Sequence, residues 1–182
     1  MFVETMGLRI DEAVNYWERR KGGWENCTAR ELEDRITSGV IERILHRGVA
    51  KEGVRHALDF CRSRDVKIAL ASSSAYRVIR AVVERLQLDG EFECVYSAEE
   101  EEYGKPHPGV YLTTARQLGI SPVECLAIED SANGVLAAKA ARMKCLAIPD
   151  AATQRDSRFA IADVVLDSLA EIGAGVWHRL DG

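Results

Sequence analysis

The chain has 182 residues, 47% hydrophobic and 29% charged, which suits one α/β domain or one domain with a small appendage. Its 24 basic and 29 acidic residues leave a net charge of −5 with no basic block, which argues against nucleic acid or an anionic membrane as partner. No apolar run approaches membrane-spanning length, and the start MFVETMGLRIDE lacks the regions of a secretory leader, so a cytoplasmic protein is expected.

In chain order, residues 9–20 place Ile10, Val14 and Trp17 at helical spacing, and Lys21-Gly22-Gly23 ends that helix. Thr28-Ala29-Arg30-Glu31 is a capping-box pattern, and a helix is expected to follow through Leu32, Ile36, Val40, Ile44 and Leu45. Residues 51–64 read as an amphipathic helix on Val54, Ala57, Leu58 and Cys61. Strands are expected at VKIALA (66–71), FECVYS (92–97), CLAIED (125–130), KCLAIP (144–149) and ADVVLD (162–167). Between them lie a helix after Ser72-Ser73-Ser74, one opened by Pro108 and closed by Gly119, and the small-residue helix SANGVLAAKAAR (131–142). A last helical turn is expected near Ser168. Short strands alternating with helices imply a doubly wound parallel sheet with right-handed crossovers, whose ligands bind at the carboxyl ends of the strands. The five cysteines, Cys27, Cys61, Cys94, Cys125 and Cys145, form no Cys-x-x-Cys pair and read as small hydrophobes in a reducing compartment.

Three places carry unusual chemistry. Ser72-Ser73-Ser74 puts hydroxyls and backbone N–H groups at a strand-to-helix turn, which is an anion cradle or a plain N-cap run. Glu129-Asp130 sets two carboxylates after an apolar strand. That is a hard-metal site suited to Mg²⁺, or helix capping by Asp130 with Glu129 in the first turn. Lys105 stands in Tyr103-Gly104-Lys105-Pro106-His107-Pro108, where a glycine and two prolines leave the loop little freedom and can aim an ammonium. A rigid surface turn is the alternative there. An anion cradle, a point positive charge and a carboxylate pair together suit phosphoryl transfer with a divalent cation.

"LASSS", "GKPHP" and "AIEDSANG", in this order and spacing, resemble the haloacid dehalogenase superfamily in its β-phosphoglucomutase-like branch. The resemblance implies a Rossmann-like α/β core over 48–182 and a partial helical cap over 1–47. It implies that Ser72 and the Ser73 backbone bind phosphoryl oxygens, that Lys105 neutralises charge, and that Asp130 ligates Mg²⁺ with support from Glu129. Arg9 falls in the cap region that faces the substrate. The implied reaction is hydrolysis of small sugar phosphates, with a sugar-phosphate mutase or a non-catalytic phosphate-binding remnant as alternatives.

The family's Asp-x-Asp-Gly nucleophile motif has no counterpart: no Asp-x-Asp occurs in the 182 residues. A truncated chain is therefore expected, without the first core strand and inactive alone. Its two unpaired inner strand edges would flank an apolar slot and could support self-association. A smaller departure is Ala50-Lys51-Glu52-Gly53-Val54, where the family usually has Pro-Gly.

Overall fold

The computed structural model describes residues 3–181; Met1, Phe2 and Gly182, which the expected cap and core spans include, lie outside it. Among the described residues seven α-helices and five strands follow in the order α1 (Ile10–Lys21), α2 (Ala29–Arg47), α3 (Val54–Ser63), β1 (Ala69–Ser72), α4 (Tyr76–Leu86), β2 (Cys94–Ser97), α5 (Gly109–Leu118), β3 (Leu126–Glu129), α6 (Ala132–Ala140), β4 (Lys144–Ala147), β5 (Val164–Val165) and α7 (Ala174–Asp181). Among the described residues no helix is long and apolar enough to cross a membrane.

The local signals act as the sequence suggests. The Thr28 hydroxyl accepts from the Glu31 N–H at 3.2 Å and the Glu31 carboxylate accepts from the Thr28 N–H at 2.8 Å, so both ends of the capping box are made. Gly22 and Gly119 close α1 and α5 in the left-handed conformation, at φ 82° and 69°.

All strand pairings are parallel, as a βαβ alternation requires. They fall into two sheets. β1 pairs with β2, with Ser72 opposite Ser97. β3, β4 and β5 form the other sheet, with Glu129 opposite Ala147 and Ala147 opposite Val165. Among the described residues β1 and β3 share no hydrogen-bonded register. Leu70 of β1 and Ile128 of β3 both line the cleft between the sheets, and Ile128 stays 40% exposed. Among the described residues the facing edges of β1 and β3 are therefore unpaired.

The three-stranded sheet is covered on both faces. Along β4 the side chains alternate: Cys145 and Ala147 join a core with Val135, Ala137 and Ala138 of α6. Leu146 and Ile148 join a second core with Ala57 of α3 and with Val176 and Leu180 of α7. Small residues on α6 let that helix sit close to the sheet. Leu146 is fully buried, which stabilises by about 1.5–3 kcal/mol.

All five cysteines are free. Burial, and then the charge of Glu129, push the Cys145 thiol up to about 12, so it stays protonated and inert. On the other side α1 packs on α2, and α2 on α4. The apolar stripe expected to bury α2 does so only in part: Ile36, Val40 and Leu45 remain exposed, and Ile36 and Val40 line a cavity of about 730 Å³ with Trp17 and Trp24.

Candidate active site

The carboxyl ends of β1 and β3 and the loop before α5 meet around a cavity of about 640 Å³, lined by Ser72, Ser73, Lys105, Glu129 and Asp130. Five of the six residues that the sequence singles out thus come together. They arrive from segments far apart in sequence because each sits where a parallel strand hands over to a helix or loop.

The serine run does not cap α4. The N-cap is Ala75, without a side-chain bond, and the Tyr76 N–H is met instead by Glu99 Oε2 at 3.1 Å. Ser72 Oγ accepts from the Ser74 N–H at 3.0 Å, which curls the turn around the end of β1. A hydroxyl that accepts one bond keeps a proton to give. The Ser73 hydroxyl donates to the Gly7 carbonyl at 2.8 Å, so what Ser73 offers an anion is its backbone.

Asp130 does not cap α6 either. Ser131 does, accepting from the Gly134 N–H at 3.0 Å. Glu129 is the last residue of β3, not the first turn of a helix. Asp130, between strand and cap, keeps its side chain 53% exposed toward the cavity.

Lys105 and Glu129 form a buried ion pair, with side chains 7% and 6% exposed. The Lys105 ammonium also reaches the Tyr111 hydroxyl at 3.2 Å and the Ala71 carbonyl at 3.5 Å, so it bridges the two sheets. The Tyr111 hydroxyl donates to the same Glu129 Oε1, and the Ser131 hydroxyl donates to Oε2 at 3.2 Å. Burial, followed by the Glu129 charge, pushes the Tyr111 phenol well above its usual range, so it remains a neutral donor. Both Glu129 oxygens are therefore engaged by protein donors. Tyr111 and Ser131 are functional neighbours that sequence reasoning missed. The signal for Tyr111 was present, three residues after Pro108 on a helix whose first turn faces Glu129.

Gly134 makes this packing possible, because a Cβ there would fall on the Glu129 carboxylate. Gly134→Ala is expected to open the buried pair and lower stability by about 3–5 kcal/mol. Gly39→Ala, on α2 with nothing within 4 Å of an added Cβ, should instead gain up to about 1 kcal/mol. Thermal unfolding of both variants checks the contrast.

A strap crosses the mouth of the cavity. The Met6 carbonyl accepts from Asn133 Nδ2 at 2.9 Å, and Gly7 and Leu8 line the cavity. Gly7 has φ 82° and packs on Ser131, so two constraints favour glycine there.

Arg9 is placed elsewhere. Its Nη1 donates to the Ala98 and Glu101 carbonyls at 3.1 and 2.5 Å, and its guanidinium pairs with Asp11. The neighbouring Glu12 accepts from the Gly104 N–H at 2.7 Å. Together they fasten the start of α1 to the loop that carries Lys105. The acidic run beside it is structural too, since Glu101 Oε1 accepts from the Tyr96 and Thr113 hydroxyls at 2.9 and 2.7 Å.

Among the described residues no three His, Cys, Asp or Glu side chains converge as a complete metal cage. Asp130 fits as one hard oxygen ligand of an ion that keeps several waters. Glu129, with both oxygens occupied, fits better as the anchor of Lys105.

Several known proteins are similar to this chain. Residues 8–142 match the model of the haloacid dehalogenase-like hydrolases. Hexitol phosphatase B of Escherichia coli (strain K12) is 39% identical over 171 residues, 94% of this chain and 77% of that protein. The phosphorylated carbohydrates phosphatase of Thermotoga maritima is 38% identical over 89 residues, 49% of this chain and 41% of that protein. The fold matches the crystal structure of CbbY from Rhodobacter sphaeroides in complex with phosphate with a TM-score of 0.85 at 23% identity, covering 96% of this chain and 79% of that one.

Proposed function

Since the chain belongs to the haloacid dehalogenase-like hydrolase family, we propose that it carries the phosphate- and metal-binding part of a Mg²⁺-dependent phosphatase for small sugar phosphates. The observation that carries this reading is the convergence of Ser72, Lys105 and Asp130 on one cavity at the strand ends. The names of the two phosphatase relatives support a phosphorylated carbohydrate as substrate.

In this reading the Ser72 hydroxyl and the Ser73 backbone donate to phosphoryl oxygens. Lys105 meets the phosphoryl charge from the other side, held in place by Glu129 and Tyr111. Asp130 would hold Mg²⁺, which would supply further positive charge at the phosphoryl group. The strap at Gly7 and Leu8 limits water over the reacting centre. Arg9 and Glu12 act on the loop rather than on the substrate, by fixing where Lys105 starts. The helices over 1–47 serve as the cap, and the unpaired cysteines are in keeping with a cytoplasmic setting.

The covalent step needs a carboxylate nucleophile, and no Asp-x-Asp occurs in the 182 residues. The open slot between β1 and β3 is where a strand carrying that motif fits, with its free end beside Ser72 and Asp130. We infer that the active protein includes such a strand. Without it, the same two edges offer a pairing site to a second copy.

The test is phosphate release from hexitol and hexose phosphates, with Mg²⁺, by the 182-residue chain and by a version extended with an Asp-x-Asp-Gly strand ahead of Thr5. The expected result is turnover in the extended form alone. A folded extended form without Mg²⁺-dependent turnover would contradict the proposal.

A further inference from the structure

Asp130 is not alone at the mouth of the cavity. Lys51, just before α3, places Nζ 3.3 Å from Asp130 Oδ2 and 2.5 Å from Asp150 Oδ1. Asp150 follows the end of β4, so three segments distant in sequence bring one ammonium between two carboxylates. Lys51 itself lines the cavity. Each carboxylate of the Glu129-Asp130 pair thus has a lysine, Lys105 in the buried half and Lys51 in the open half. The two pairs differ in kind. Lys105 is locked by burial and three acceptors, whereas the Lys51, Asp130 and Asp150 side chains are 45%, 53% and 46% exposed.

An ammonium and a divalent ion ask for the same thing, a carboxylate oxygen with negative charge to neutralise. Mg²⁺ brings its oxygens to about 2.0–2.1 Å and fills its shell with them. The Asp130 oxygen next to Lys51 would have to turn from one cation to the other. Lysine is suited to such an exchange, being a compact charge on a flexible stem.

Resting on the reading of Asp130 as a metal ligand, we propose that Lys51 is a built-in competitor that occupies Asp130 in the metal-free protein and must swing aside when a divalent cation binds. Asp150 retains the ammonium once it has swung away from Asp130. The site therefore binds divalent cations more weakly than its carboxylates alone would, and metal occupancy and the position of Lys51 are reciprocally coupled. Two carboxylates left without their ammonium would repel each other and draw a cation more strongly.

Binding of Mn²⁺ to the purified 182-residue chain, read from the paramagnetic resonance signal of the free ion, tests this without any turnover. The wild type, Lys51→Gln, Lys51→Arg and Asp130→Asn are compared at low salt, with circular dichroism to check folding. Lys51→Gln is expected to tighten Mn²⁺ binding about tenfold, within the range of ordinary site-to-site coupling. Lys51→Arg, which keeps the charge, should bind as the wild type does, and Asp130→Asn should remove the binding. Unchanged or weaker binding by Lys51→Gln, while Asp130→Asn still abolishes it, would overturn the competition and leave the metal ligand standing. Binding unaffected by Asp130→Asn would overturn both.

Discussion

Lys105→Met is expected to destabilise the chain by about 3–5 kcal/mol. The reason is what the substitution leaves behind. The Lys105 and Glu129 side chains are 7% and 6% exposed, so solvent does little to screen the pair. Once the ammonium is gone, the Glu129 carboxylate keeps, among the described residues, the Tyr111 and Ser131 hydroxyls as donors. Two neutral hydrogen bonds do not replace the lost countercharge of a desolvated anion. The loop loses its tie across to the Ala71 carbonyl as well. Urea unfolding measures the loss. Glu129→Gln added to Lys105→Met should recover a large part of it, because the orphaned charge is then removed. A double variant as unstable as the single one would mean that lost packing, not lost charge balance, is responsible.

Asp130→Asn should do the opposite at the very next position along the chain. Its side chain is 53% exposed and does not cap α6, so stability is expected to change by no more than about 0.5 kcal/mol. In the form extended with an Asp-x-Asp-Gly strand, Mg²⁺-dependent phosphate release is expected to fall by about 100-fold or more. That figure is the upper end of what losing an outer-shell partner of a metal ligand costs, and a direct ligand should matter at least as much. Phosphate release against Mg²⁺ concentration, alongside thermal unfolding, reads both quantities. Turnover unchanged in a folded Asp130→Asn protein would remove Asp130 from the site.

Much of this arrangement is legible in the amino-acid sequence. Turn chemistry was the clearest layer: Thr28-Glu31 starts α2 through its capping box, and Gly119 closes α5 in the left-handed conformation that a residue without Cβ adopts freely. The strands were legible as apolar, β-branched runs, yet each is shorter than its run. VKIALA gives a strand only from Ala69, and ADVVLD only Val164–Val165, because a run shows what can be buried and not where a partner strand begins. α7 was not foreseen. It follows Gly173 with no strong capping signal, and Val176 and Leu180 reveal its buried face only through the sheet they cover.

In the site, the local capping alternatives failed for a common reason. Hydroxyls and carboxylates at a strand end look like caps, but Ala75 and Ser131 hold those positions. That leaves Ser72 and Asp130 facing the cavity. What the sequence hid was pairing over long distances. Lys51 reads only as part of the Ala50-Lys51-Glu52-Gly53-Val54 departure until Asp150, 99 residues away, is placed beside it. Arg9 reads as a substrate contact until its guanidinium is seen on the carbonyls of the Lys105 loop.

On the proposed function, the strand-end cavity binds a phosphoryl group through Ser72 and Lys105. The most direct measurement is the affinity of the 182-residue chain for inorganic phosphate by calorimetry, with and without Mg²⁺, in the wild type and in Ser72→Ala. Phosphate is expected to bind, and Mg²⁺ to tighten its binding. Ser72→Ala is expected to weaken binding about tenfold or more, the worth of one hydrogen bond to a charged ligand, while stability falls by no more than the roughly 1 kcal/mol of its bond to the Ser74 N–H. Phosphate that does not bind at all, or binds equally well to both proteins, would contradict the proposed function.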